Sequence, residues 1–174
     1  MGILVRVTLA LLLISAAVPA RAREARYERL DPNSYQSFVG NWTPETSPLC
    51  AVIRSNAEWD RVFQPAFVMG HNRPFSPPPG FWKTKAVLVV AHVISAGDLS
   101  EVFHVRHLQR TANTIELDYT FKSTPSASSS MKWYLALAIT KHLPQIVRFT
   151  ENNHPICTLK PSSGIWILPA LSAH

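Results

Sequence analysis

The chain is short of several things that most chemistry requires. Its 174 residues include six glycines, none of them clustered, so no phosphate-cradling loop is present. The two cysteines, Cys50 and Cys157, stand far apart and form no C-x-x-C pair. That disfavours a redox enzyme and a structural zinc site of the paired Cys/His type. Acidic residues number 11 against 17 Lys and Arg, and no distinguished pair of carboxylates offers the opposed groups a glycosidase needs. Neither a G-x-S-x-G elbow nor an H-E-x-x-H helix motif occurs. The basic residues are scattered: Arg23, Arg26 and Arg29 alternate with Glu24 and Glu28, while Lys83 and Lys85 stand alone. Without a basic stripe interleaved with aromatics, nucleic-acid binding is not expected.

What is present begins with a leader. Arg6 supplies positive charge, Val7 to Val18 form a nearly unbroken apolar run, and Ala20-Arg21-Ala22 is an A-x-A cleavage pattern. The run is well short of the ~20 residues that span a hydrocarbon core. Residues 1–22 are therefore read as a signal peptide cleaved after Ala22, giving a periplasmic or secreted chain with no membrane attachment after removal; the alternative is an uncleaved membrane anchor. The cleaved chain keeps 15 basic and 11 acidic side chains, a net charge of +4. Its 152 residues amount to one ordinary domain, long enough to bury about two thirds of its unfolded surface. In an oxidising compartment Cys50 and Cys157 can pair, closing a loop of more than a hundred residues worth about 4–5 kcal/mol in the chain-entropy model. The alternative is two buried free thiols.

Periodicity predicts an α+β domain: an antiparallel sheet of about five to seven strands with one short packed helix. The expected layout is an irregular arm over 23–49 with an edge strand near Tyr35 to Val39, a globular body over 50–160, and a tail over 161–174. Leu49 to Arg54 reads as a strand. Ser55-Asn56-Ala57-Glu58 then forms a capping box that opens a helix carrying Trp59, Val62 and Phe63 on one face. A proline-rich loop over 66–80 leads to the run Ala86 to Ile94, which suits a central strand covered on both faces and is interrupted only by His92. After a turn at Gly97-Asp98, Glu101 to Arg110 and Ile115 to Phe121 form a hairpin. A three-residue loop, Thr111-Ala112-Asn113, would place Asn113 in the left-handed region. That register sets Phe103 opposite Phe121, Val105 opposite Tyr119, Arg106 opposite Asp118, and turns His107 toward Leu117. Lys132 to Lys141, Gln145 to Thr150 and Pro155 to Leu159 complete the strands, the last bringing Cys157 beside Cys50.

Seven histidines raise the question of a metal. In the hairpin, His104 and His107 point to opposite faces and could share an ion only across a bulge. A site built from distant residues such as His71 and His92 has no sequence signature. No metal, cofactor or catalytic residue is expected. Phe81 and Trp82, beside the stiff proline-rich loop, are candidate partner contacts, or else they plug one end of the core.

The run Val52-Ile53-Arg54-Ser55-Asn56-Ala57-Glu58-Trp59-Asp60-Arg61-Val62-Phe63 resembles the opening of the C-terminal domain of PrcB-type protease complex subunits, in which a strand leads to a short helix with a Glu/Asp-Trp pattern. Trp82-Lys83-Thr84-Lys85 with its following strand, the strand pair, and the region Tyr134 to Phe149 are similar in arrangement. The likeness spans roughly 52–151. It implies a small exported α+β domain that accompanies another protein, such as a protease, and carries no chemistry of its own. The reading is thus an exported, non-catalytic, partner-binding domain. The alternative is a small secreted or periplasmic hydrolase whose site is assembled from His92, His104 or His107 with a loop serine.

Overall fold

The computed structural model describes residues 22–40, 48–66, 72–95, 102–123 and 130–160, with the backbone alone of 168–169. The leader, residues 41–47, His71, the turn at Gly97-Asp98, residues 124–129 and most of the tail lie outside them. Strands in chain order are β1 (Arg23–Glu24), β2 (Glu28–Leu30), β3 (Ser37–Val39), β4 (Leu49–Ile53), β5 (Phe63–Pro65), β6 (Lys85–Ser95), β7 (Phe103–Arg110), β8 (Thr114–Phe121), β9 (Ser130–Thr140), β10 (Ile146–Glu151), β11 (His154–Leu159) and β12 (Leu168–Pro169). The helix α1 is Asn56–Val62.

The apolar run of β6 does not alternate because both its faces are covered. Residues 86 to 92 are buried without a break. Ala86, Leu88, Val90 and Ile94 pack toward a second sheet, against Leu117, Tyr119, Val147 and Phe149. Val87, Val89 and Ala91 pack the other way, against Trp59, Phe63 and Trp82. The result is three layers. Sheet one runs β12-β4-β6-β9-β2, and sheet two, stacked on it, runs β1-β7-β8-β10-β11. The third layer, on the far side of sheet one, holds α1 and a two-stranded ribbon of β3 and β5. Among the described residues only one face of sheet two is covered, so β8 alternates cleanly: Ile115, Leu117 and Tyr119 are buried, while Glu116, Asp118 and Thr120 reach solvent.

The α+β class holds, with one helix among the described residues and antiparallel pairing dominant. The strands nevertheless divide between two sheets. The link His142-Leu143-Pro144 carries the chain from β9 in sheet one to β10 in sheet two. There β10 lies parallel to β8, with Thr150 beside Asp118 and Glu151 beside Tyr119.

Both sides of the sandwich are closed. The arm expected to be irregular enters both sheets: β1 pairs with the end of β7, and β2 pairs with Ala136 to Ala138 of β9. Arg29 donates to the Phe103 carbonyl at 3.3 Å, tying this strap to the start of β7. On the opposite side a disulfide joins Cys50 of β4 to Cys157 of β11. The backbone of Leu168 and Pro169 pairs outside β4.

The helix start is half the expected box. Ser55 Oγ accepts from the Glu58 N–H at 3.2 Å, but Glu58 Oε2 accepts from the Arg54 N–H at 2.6 Å, one residue before the expected donor. The helix stops at Val62 and Phe63 opens β5. Gln64 precedes Pro65, and a residue before proline is driven to extended backbone.

The hairpin keeps its expected register only at its open end. Phe103 pairs with Phe121 and Val105 with Tyr119, but Arg106 is bulged, and His107 then pairs with Asp118 and Leu108 with Leu117. This corrects the expected placement of His107. The bulge absorbs one residue, so the turn tightens: the Thr111 N–H donates to the Thr114 carbonyl at 2.8 Å, and Thr111 Oγ1 accepts from the Thr114 N–H at 3.0 Å. Asn113 is not left-handed. Among the described residues, the non-glycine positions at positive φ are Asn152 and Asn153, in the turn between β10 and β11.

Candidate functional site

The most unusual chemistry in the described residues lies between the two sheets. The inward set of β6 is interrupted between Val90 and Ile94 by His92, which is 7% exposed. Tyr119 is inward on β8 and fully buried, and Glu151 is its neighbour in the parallel pairing with β10. The Tyr119 hydroxyl donates to Glu151 Oε2 at 2.7 Å, and His92 Nε2 lies 2.7 Å from the same oxygen. The second contact is within ion-pair distance, and both groups carry charge only when the imidazole is protonated. The imidazole stacks on Phe121 with centroids 3.9 Å apart, and Phe103 leans on it at 5.9 Å.

A carboxylate in such surroundings is costly unless it is paired. Burial pushes Glu151 up, but His92 and the Tyr119 hydroxyl together outweigh it, so its carboxyl titrates below the ordinary value. Burial first, and then the Glu151 charge and hydrogen bond, push the Tyr119 hydroxyl far above the tyrosine range. The cluster therefore holds one anion between a neutral phenol and an imidazole. Asn152, just past Glu151, fixes the strand end by exchanging side-chain hydrogen bonds of 3.1 Å with the Phe121 backbone. Among these residues the sequence singles out His92 alone, as the polar interruption of an apolar strand. Glu151 sits one residue beyond the expected strand end, and only the unforeseen parallel pairing brings it to Tyr119.

The two hairpin histidines lie elsewhere. His104 and His107 are exposed on the outer face of sheet two, so they and His92 are on opposite sides of that sheet. No three His, Cys, Asp or Glu side chains among the described residues are placed to hold a metal ion together. Of the serines between Ser123 and Ser130, Ser123 and Ser130 are described and Ser130 pairs with Ser95, while Ser126, Ser128 and Ser129 lie outside the described residues.

The third layer offers a surface. Trp82 is buried, its Nε1 donating to Asn56 Oδ1, and it packs at 6.1 Å from Trp59. Phe81 is half-buried against it. Of these two candidate contacts, Trp82 thus faces the core. Among the described residues, the large apolar side chains that do face solvent are Tyr27, Phe38 and Phe75. The Gln36 N–H donates to the Pro74 carbonyl at 2.9 Å, so the proline-rich segment runs beside the start of β3. Trp59 Nε1 donates to the Phe75 carbonyl at 3.1 Å and holds that segment down. Phe38 and Phe75 therefore stand outward on one hydrogen-bonded layer, with Pro74, Pro78 and Pro79 also exposed.

Comparison with protein-family models, with curated proteins and with solved structures finds no match to this chain.

Proposed function

We propose that this chain is an exported, non-catalytic domain that binds another protein, and that the partner is an envelope protease. The observation that carries the reading is the outward placement of Phe38 and Phe75 on a layer whose interior is already filled by Trp59, Phe63 and Trp82. Aromatic side chains on a rigid support lose little entropy on binding and recur as interface anchors. The disulfide between the sheets fits an oxidising compartment. The protease follows from the resemblance of residues 52–151 to the domain found in PrcB-type protease complexes.

The test is gentle cross-linking of the cleaved chain in its own cell envelope, with the partner's stoichiometry quantified. One near-stoichiometric protease supports the reading, and a chain recovered alone contradicts it. The hydrolase reading has one observation on its side, the Glu151 carboxylate that holds His92. It makes the opposite demand: His92→Asn would abolish an ester or peptide hydrolysis that the wild type performs, with the fold retained.

A further inference from the structure

We propose that the bulge at Arg106 makes His104 and His107 a two-imidazole site for a borderline divalent cation of the zinc, copper or nickel class. On a regular strand, residues three apart face opposite ways. Here the extra residue restores the phase. His104 pairs with Thr120 and His107 with Asp118, two positions apart on β8, so both histidines stand on the outer face of sheet two. Their spacing is that of alternate residues on one face, roughly 6–7 Å along the strand. An ion bound about 2.0–2.1 Å from each nitrogen can bridge imidazoles at that spacing, with water completing its shell.

Three further observations favour metal over two idle histidines. Both side chains are exposed, and His104 makes no hydrogen bond or ion pair among the described residues, so its nitrogens are open to a ligand. Glu24 Oε2 lies 4.0 Å from His107 Nδ1, and its other oxygen accepts from the Leu108 N–H at 3.1 Å. The anchored carboxylate adds negative charge beside the His107 ring, which favours a cation held there. Arg106, the nearby cation, is taken up by Asp118, with Nε 3.1 Å from Oδ1. Its charge is therefore largely cancelled where an ion would sit.

The site is separate from the surface that carries Phe38 and Phe75, and it stands or falls independently of the proposed partner. The experiment is calorimetric titration of the untagged cleaved chain with zinc chloride at neutral pH, repeated with the variants H104A, H107A, E24Q and H154A. One ion should bind per chain. H104A and H107A should each weaken it at least tenfold, E24Q by less, and H154A not at all. Binding should also fall on acidification, because a ligating imidazole must be neutral. The two histidines are exposed, so thermal melts of the variants should match the wild type. Absence of binding, binding that survives both H104A and H107A, or equal loss in H154A would overturn the proposal.

Discussion

Glu151 is the residue on which the meeting of the sheets turns. Its carboxylate touches His92 from sheet one and Tyr119 from sheet two, and with 16% of the side chain exposed it is shielded from water. Its folded carboxyl titrates below the ordinary value near 4.5, so its stabilisation is complete above that pH and is lost as pH falls through the folded value. The wild type should therefore lose stability on acidification below about pH 5, whereas Glu151→Gln should show a flatter acid limb in urea melts taken from pH 7 to pH 3. Truncation to alanine at pH 7 should cost about 1–3 kcal/mol, the range for leaving the buried Tyr119 hydroxyl without its acceptor. How legible this was depends on the residue. His92 announces itself as one polar side chain in a run of Val, Leu and Ala. Glu151 and Tyr119 do not, because a hydrophobic pattern shows which face a residue occupies but not which strand will lie beside it.

Local chemistry governs the single elements, and most of them could be read. Ser55 accepts from the Glu58 N–H and starts a helix of seven residues, too short to persist without its cap and its packing. Ser55→Ala should lower stability by about 1 kcal/mol, seen as a shifted urea midpoint at unchanged slope. The central strand β6 and the alternation of β8 follow directly from the pattern of Val, Leu and Ile. The bulge at Arg106 does not, since no glycine marks it and the ion pair with Asp118 forms in either register. Bulges suit a strand such as β7, whose outer edge is paired only near Arg110, because they spoil a flat edge for unwanted pairing. The same device brings His104 and His107 to one face.

At the scale of the molecule, two stacked sheets are held by a strap on one side and a disulfide on the other. Cys50 and Cys157 are 107 residues apart, so their bond restricts much of the unfolded chain. The double variant C50A/C157A should lose about 4–5 kcal/mol in urea unfolding relative to the oxidised wild type, and reduction should bring the wild type close to it. Sequence periodicity foresaw the proximity of the cysteines but not the division into two sheets. The decisive segment, His142-Leu143-Pro144, is as short as a hairpin link and gives no sign that it changes layers. The strap was invisible for a related reason: strand pieces of two or three residues are too short to show a period. The third layer, by contrast, grew from the capped helix that could be read, and it presents Phe38 and Phe75. The most direct test of a partner-binding role compares the wild type with the double variant F38S/F75S by cross-linking in the native envelope. The wild type should capture one dominant protease in near-stoichiometric amount, and the variant should lose it while melting at the same temperature. A partner retained by the variant, or a wild-type chain recovered alone, would contradict that role.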